Sequence, residues 1–118
     1  MHCFVRFEPL PEKGVEFREE LLRVVDASRT ETGCIAIRAF ESLREPPVFE
    51  IHSEWVDEAA FELHARLPHT VRFLAAARNL LPHPVEGLRT SQIGGGDGAV
   101  TDHAEDEVPP ATGVVSGS

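Results

Sequence analysis

Two stretches with the apolar spacing of helices are each bracketed by short stretches with the spacing of strands, and few folds accommodate that order. Residues 2–8 read as a strand closed by Pro9 and Pro11. Residues 12–30 read as a helix, with Phe17, Leu21, Val24, Val25 and Ser28 on one face and Arg18, Glu19, Arg23 and Asp26 opposite. Gly33 is placed to end it. Residues 34–42 read as a second strand, and a turn follows at Arg44-Glu45-Pro46-Pro47. In residues 48–55, Phe49, Ile51, Ser53 and Trp55 alternate with Val48, Glu50, His52 and Glu54, the period of a third strand.

Asp57 is a good N-cap for the next helix, with Val56 and Phe61 at the two positions of a hydrophobic staple. Pro68 interrupts this helix, and a second segment runs from 69 to 81 with a stripe of Val71, Leu74, Ala77 and Leu81. Pro82 and Pro84 stop it, and residues 85–92 form a fourth strand. The order β-α-β-β-α-β predicts an α+β, ferredoxin-like fold, with two helices covering one face of a four-stranded antiparallel sheet in strand order 4-1-3-2. Cys3 and Cys34 would then sit two strand spacings apart, about 9.6 Å, beyond the reach of a disulfide.

The other sheet face holds Glu50, His52 and Glu54 together with polar and apolar neighbours. Such a face is either wetted or covered by the sheet of a second subunit, and a homodimer through sheet faces is the expectation. A folded unit of residues 1–93 buries only about 60–65% of its unfolded surface and gains from such a partner.

Composition adds exclusions. The 118 residues carry a net charge of −9, and the segment 94–118 holds Asp97, Asp102, Glu105, Asp106 and Glu107 without a single Lys or Arg. Six of the nine glycines lie in it, so 94–118 reads as a disordered, acidic, Gly-rich tail. Nothing attracts polyphosphate, which argues against nucleic acid as a partner. No apolar run approaches the ~20 residues of a membrane span. The N-terminal residues lack the pattern of a signal peptide, and two cysteines without an export signal point to a cytoplasmic protein with reduced thiols.

His64 is the first candidate for chemistry. It lies i+4 from Ala60 and i+3 from Phe61, on the face that turns toward the sheet. Burial disfavours an imidazolium and leaves a neutral ring able to accept a proton, although the same spacing also suits a core histidine bonded to a carbonyl. Trp55 shares a face with Phe49 and Ile51, and its indole N–H needs an acceptor that a ligand oxygen could supply. His69 follows Pro68 and is less suited to be a base; it is counted among the substrate-binding residues. No metal site is expected, because His64 and His69 are five apart with a proline between them and no His-Glu-x-x-His occurs. The chain also lacks a Gly-x-Gly-x-x-Gly, a P-loop and a Gly-x-Ser-x-Gly elbow.

Four blocks occur in order: Glu31-Thr32-Gly33-Cys34-Ile35, the run from Phe49 to Asp57, Ala60-Phe61-Glu62-Leu63-His64, and Pro68-His69-Thr70-Val71-Arg72-Phe73. Together they resemble the antibiotic biosynthesis monooxygenase family, whose small single-domain members include bacterial quinol monooxygenases. The resemblance covers about residues 2–92. It implies a dimeric α/β barrel in which two sheets pack face to face, with a pocket between each sheet and its helices. It also implies oxygenation of a quinol or related electron-rich aromatic by O2 without flavin, haem or metal, hence no cofactor. The family's Trp and His positions fall on Trp55 and His64.

Two departures stand out. The chain has no Tyr, and Phe61 stands where some polyketide-oxidising relatives place one. Residues 70–81 hold no His to serve as an axial haem ligand, which argues against haem degradation. The expectation is therefore a cofactor-independent monooxygenase with His64 as base, Trp55 as donor, and Phe49, Ile51, Phe61, His69 and Phe73 lining the substrate. The alternatives are an isomerase of a small keto compound in the same pocket and a noncatalytic dimeric ligand-binding protein.

Overall fold

The computed structural model describes residues 1–96. Its elements are β1 (His2–Phe7), α1 (Gly14–Ser28), β2 (Cys34–Glu41), β3 (Phe49–Trp55), α2 (Glu58–His64), α3 (Pro68–Arg78) and β4 (Gly87–Thr90). The sheet runs β2-β3-β1-β4 with every pair antiparallel. This is the expected ferredoxin-like arrangement. Most of the expected tail, residues 97–118, lies outside the described residues. Among the described residues no helix is long and apolar enough to cross a membrane.

Register decides which side chains meet the helices. Cys3 pairs with Ser53, Val5 with Ile51 and Phe7 with Phe49. These residues face α1 and α3, whereas Phe4, Arg6, Glu50 and His52 face away. Phe17 of α1 sits at the centre of the core, with ring centroids 5.0 Å from Phe7 and 5.3 Å from Phe49. Leu21, Val24 and Phe73 extend the same cluster. Both cysteines are free, on strands separated by β3.

Two expectations are corrected. The fully buried stripe of α3 is Thr70, Phe73 and Ala77, continued by Leu80; Leu74 and Leu81 pack half-buried against the core as expected, while Val71 is exposed. Both stripes contain Ala77 and both have helical spacing. The one carrying the Phe73 ring buries more apolar surface, and it sets the rotation of the helix. Gly33 also does not cap α1, which ends at Ser28 with Arg29 as C-cap. It instead takes a positive φ of 94° in the turn before β2.

That turn determines how the helices sit on the sheet. A Cβ on Gly33 would lie 2.8 Å from the Ala60 Cβ, so only glycine lets the turn approach α2 so closely. The Val56 N–H donates to the Gly33 carbonyl at 2.9 Å and fixes the approach. The Asp57 side chain caps α2 by accepting from the Ala60 N–H at 2.8 Å, and Pro68 opens α3 at its first turn.

Candidate active site

His64 is the last residue of α2, and its side chain is 12% exposed. The Gly33 turn brings Glu31, 8% exposed, to its side, where Glu31 Oε2 accepts from His64 Nδ1 at 2.8 Å. A carboxylate accepts only, so this contact places the ring proton on Nδ1. Nε2 is then the basic nitrogen, and no protein partner for it occurs among the described residues. Thr70 Oγ1 lies 3.3 Å from the same Nδ1.

The same Glu31 oxygen accepts from His69 Nε2 at 2.5 Å. Proline at the first turn of α3 lets the chain turn back between the two histidines, so a five-residue separation still ends at one carboxylate. Glu31, His64 and His69 form a group whose three donor atoms lie within 4.8 Å of one another. The 2.5 and 2.8 Å separations are those of hydrogen bonds; donors around a tetrahedral metal with bonds of ~2.1 Å stand ~3.4 Å apart. As placed, the cluster is a proton-sharing network.

Behind His64 stand two rings. Trp55 lies 4.6 Å from it between centroids and Phe61 5.6 Å, with Trp55 and Phe61 edge to face at 5.8 Å. Trp55 is buried, and its Nε1 has no hydrogen-bond partner among the described residues. The Arg89 guanidinium lies 5.0 Å from the centroid of Phe61 and donates to Glu58 and Glu62, each at 2.8 Å, tying α2 to β4. Those contacts hold the Glu62 carboxyl below the usual carboxylate range.

His64 forms part of the wall of a pocket of about 210 Å³ between sheet and helices. Val5, Ile51, Phe61, Phe73 and Leu74 supply apolar wall, and Ser28, Ser53 and Thr70 supply hydroxyls. Of the residues expected at a site, the structure brings His64, Ile51, Phe61 and Phe73 together on this pocket. Trp55 packs behind His64 and is not on the wall, and Phe49 is buried against Phe17 in the core. His69 also lies off the wall, bonded to Glu31. Glu31 opens the run Glu31-Thr32-Gly33-Cys34-Ile35, yet nothing in its spacing marks it as a partner of His64. A turn has no periodicity to reveal which way a side chain points.

The candidate site of this α+β domain is thus a pocket between an antiparallel sheet and its helices, walled by apolar groups and by an imidazole bonded to a carboxylate. The family model described as antibiotic biosynthesis monooxygenase matches residues 1–76, and the chain belongs to that family. The Bacillus subtilis (strain 168) protein "Putative monooxygenase YcnE" is 36% identical over 80 residues, covering 68% of this chain and 84% of that one. An uncharacterised Synechocystis protein, sll1783, is 30% identical over 76 residues, and the match spans about half of its length (52%).

Solved structures share the fold. Rv0793 from Mycobacterium tuberculosis superposes with a TM-score of 0.74 at 22% identity, covering 81% of this chain and 97% of that one. "Putative antibiotic biosynthesis monooxygenase from Nitrosomonas europaea" gives 0.73 at 16% identity, covering 79% and 99%.

Proposed function

We propose that this protein is a cofactor-independent monooxygenase that oxidises a quinol or related electron-rich phenol with O2. The observation that carries the reading is His64, on the wall of an apolar pocket with its Nδ1 proton given to the buried Glu31. Family membership and the name of the Bacillus subtilis relative support the monooxygenase class.

A phenolate gives an electron to O2 far more readily than a neutral phenol. The protein therefore needs to take a proton, hold the anion and keep water from the peroxide that follows. His64 Nε2 takes the phenolic proton, and Glu31 stabilises the imidazolium that results. Trp55 and Phe61 fix the ring of His64 from behind, and Ile51, Phe61 and Phe73 form apolar wall. Phe49 supports Ile51 from within the core, and His69 holds the second side of Glu31. The overall change is 1,4-dihydroxybenzene plus O2 giving hydroxybenzoquinone plus water. The substrate supplies all four electrons, so the reaction needs no flavin, haem, metal or external reductant.

The pocket volume, about 210 Å³, exceeds the ~150 Å³ that accommodates benzene and falls below the ~300–1,000 Å³ of drug-sized sites. That favours substrates of one or two rings.

We also propose a homodimer through the open sheet face. Phe4, Phe40 and Leu88 on that face are 48%, 52% and 65% exposed, an apolar patch that a second copy would cover. Sedimentation showing only monomer at micromolar concentration contradicts it.

The reaction is tested with flavin-free, chelator-treated protein, 1,4-dihydroxynaphthalene and ¹⁸O2. One labelled oxygen in the quinone product supports the reading, and product free of label removes it. Turnover of a keto substrate under strict anaerobiosis would instead indicate an isomerase.

A further inference from the structure

Ser28 occupies an unusual position. It is the last residue of α1, its side chain is fully buried, and its Oγ has no hydrogen-bond partner among the described residues. A hydroxyl removed from water without a partner destabilises the fold, and alanine at this helical position would avoid that cost. Ser28 also lines the same pocket as His64. The neighbouring hydroxyl of Thr70 is accounted for differently, because it lies against His64 Nδ1. A polar atom entering the pocket would supply the partner that Ser28 Oγ lacks among the described residues.

We propose that Ser28 is a substrate-binding residue that anchors a second oxygen of the substrate, so that the pocket selects a dihydroxyaromatic over a monophenol. This rests on the reading of the pocket as a quinol site. His64 on α2 receives one oxygen and Ser28 on α1 receives another, and the two elements approach the pocket separately. A serine hydroxyl both donates and accepts. It can accept from the diol and donate to the carbonyl of the quinone formed, and so it serves substrate and product alike. An apolar wall has no way to distinguish one ring oxygen from two; an otherwise unsatisfied buried hydroxyl does.

The test uses the full chain under anaerobic conditions, so that binding is read without turnover. Trp55 is the sole tryptophan and its ring packs against His64 at a tilt, which makes its fluorescence a reporter for the pocket. The probes are 1,4-dihydroxybenzene and phenol. The wild type is expected to bind the diol more tightly. Ser28→Ala is expected to weaken the diol about tenfold, leave phenol unchanged, and raise the melting temperature of the ligand-free protein.

Three results overturn the proposal: no preference in the wild type, an unchanged diol affinity in Ser28→Ala, or an equal loss for phenol. Oxygen uptake separates this inference from the reading beneath it. A Ser28-dependent preference without oxygen consumption removes only the monooxygenase reading. Oxygen consumption with unchanged diol affinity in Ser28→Ala removes only the Ser28 assignment.

Discussion

Glu31 Oε2 and His64 Nδ1 lie 2.8 Å apart, joining a turn after the first helix to the end of the second across 33 residues of sequence. This contact makes the imidazole directional. With its Nδ1 proton engaged, the ring leaves Nε2 for the base role proposed above, in which the carboxylate would stabilise the charge that proton uptake creates.

Glu31→Gln preserves an acceptor for both histidines and removes the negative charge. The expected result is a fall in kcat of about 10²-fold with KM little changed, because the charge acts after the substrate has bound. Glu31→Ala additionally leaves two ring N–H groups without their acceptor and should lower stability by about 1–3 kcal/mol. Steady-state kinetics and urea unfolding of the two variants separate these effects. Equal losses of kcat/KM through KM alone would contradict the role given to Glu31.

Gly33→Ala tests the turn that delivers Glu31. A Cβ there meets both an unfavourable positive φ and the Ala60 Cβ at 2.8 Å. The backbone strain alone is worth about 1–3 kcal/mol, and relief of the clash must push α2 away and carry His64 from Glu31. Chemical denaturation should report the loss. A variant as stable and active as the wild type would show that the close approach is dispensable.

On the open sheet face, His52 Nε2 lies 2.8 Å from His2 Nδ1, a contact that needs one ring proton between two nitrogens. Burial, then His2 and Arg38, push His52 below its ordinary value of 6.5, against an opposing pull from Glu54. The unfolded chain therefore takes up this proton first. The contribution of His52 to stability is complete above about pH 6.5 and is lost as pH falls through the lowered folded value. Melting temperatures between pH 7.5 and 5 should fall less steeply in His52→Gln than in the wild type. Identical slopes would rule out this residue as a source of acid sensitivity.

Burial pushes the Cys3 thiol up, with Arg89 opposing, and burial and then Glu31 push Cys34 up. Both effects suppress the reactive thiolate. A colorimetric disulfide reagent at pH 8 should label Cys34 slowly and Cys3 only after unfolding, since Cys3 is fully buried and Cys34 is not. Rapid labelling of both thiols in the folded protein would contradict the packing of β1 against β4 and the helices.

The fold was legible because its signals are local. Alternation in Phe49–Trp55 and helical spacing in Phe17–Ser28 each fit within one element, and proline marks most of the boundaries. His64 was legible for the same reason, three residues from Phe61 on one helical face. The partners of His64 were not. Glu31 lies in a turn, and only the approach of Gly33 to Ala60 brings it to α2. The rotation of α3 turned on whether Phe73 or Val71 faced inward, which spacing alone leaves open. Phe49 and Ile51 share a sheet face, yet only Ile51 reaches the pocket, since position along the strand decides that.

The most direct test of the account compares oxygen consumption by the wild type and His64→Ala, both freed of flavin and metal, with 1,4-dihydroxynaphthalene as substrate. The account predicts uptake above the spontaneous rate in the wild type and a loss of about 10²–10⁴-fold of that excess in the variant, the share expected of a general base. Equal uptake in the two proteins, or none above the spontaneous rate in either, would contradict it.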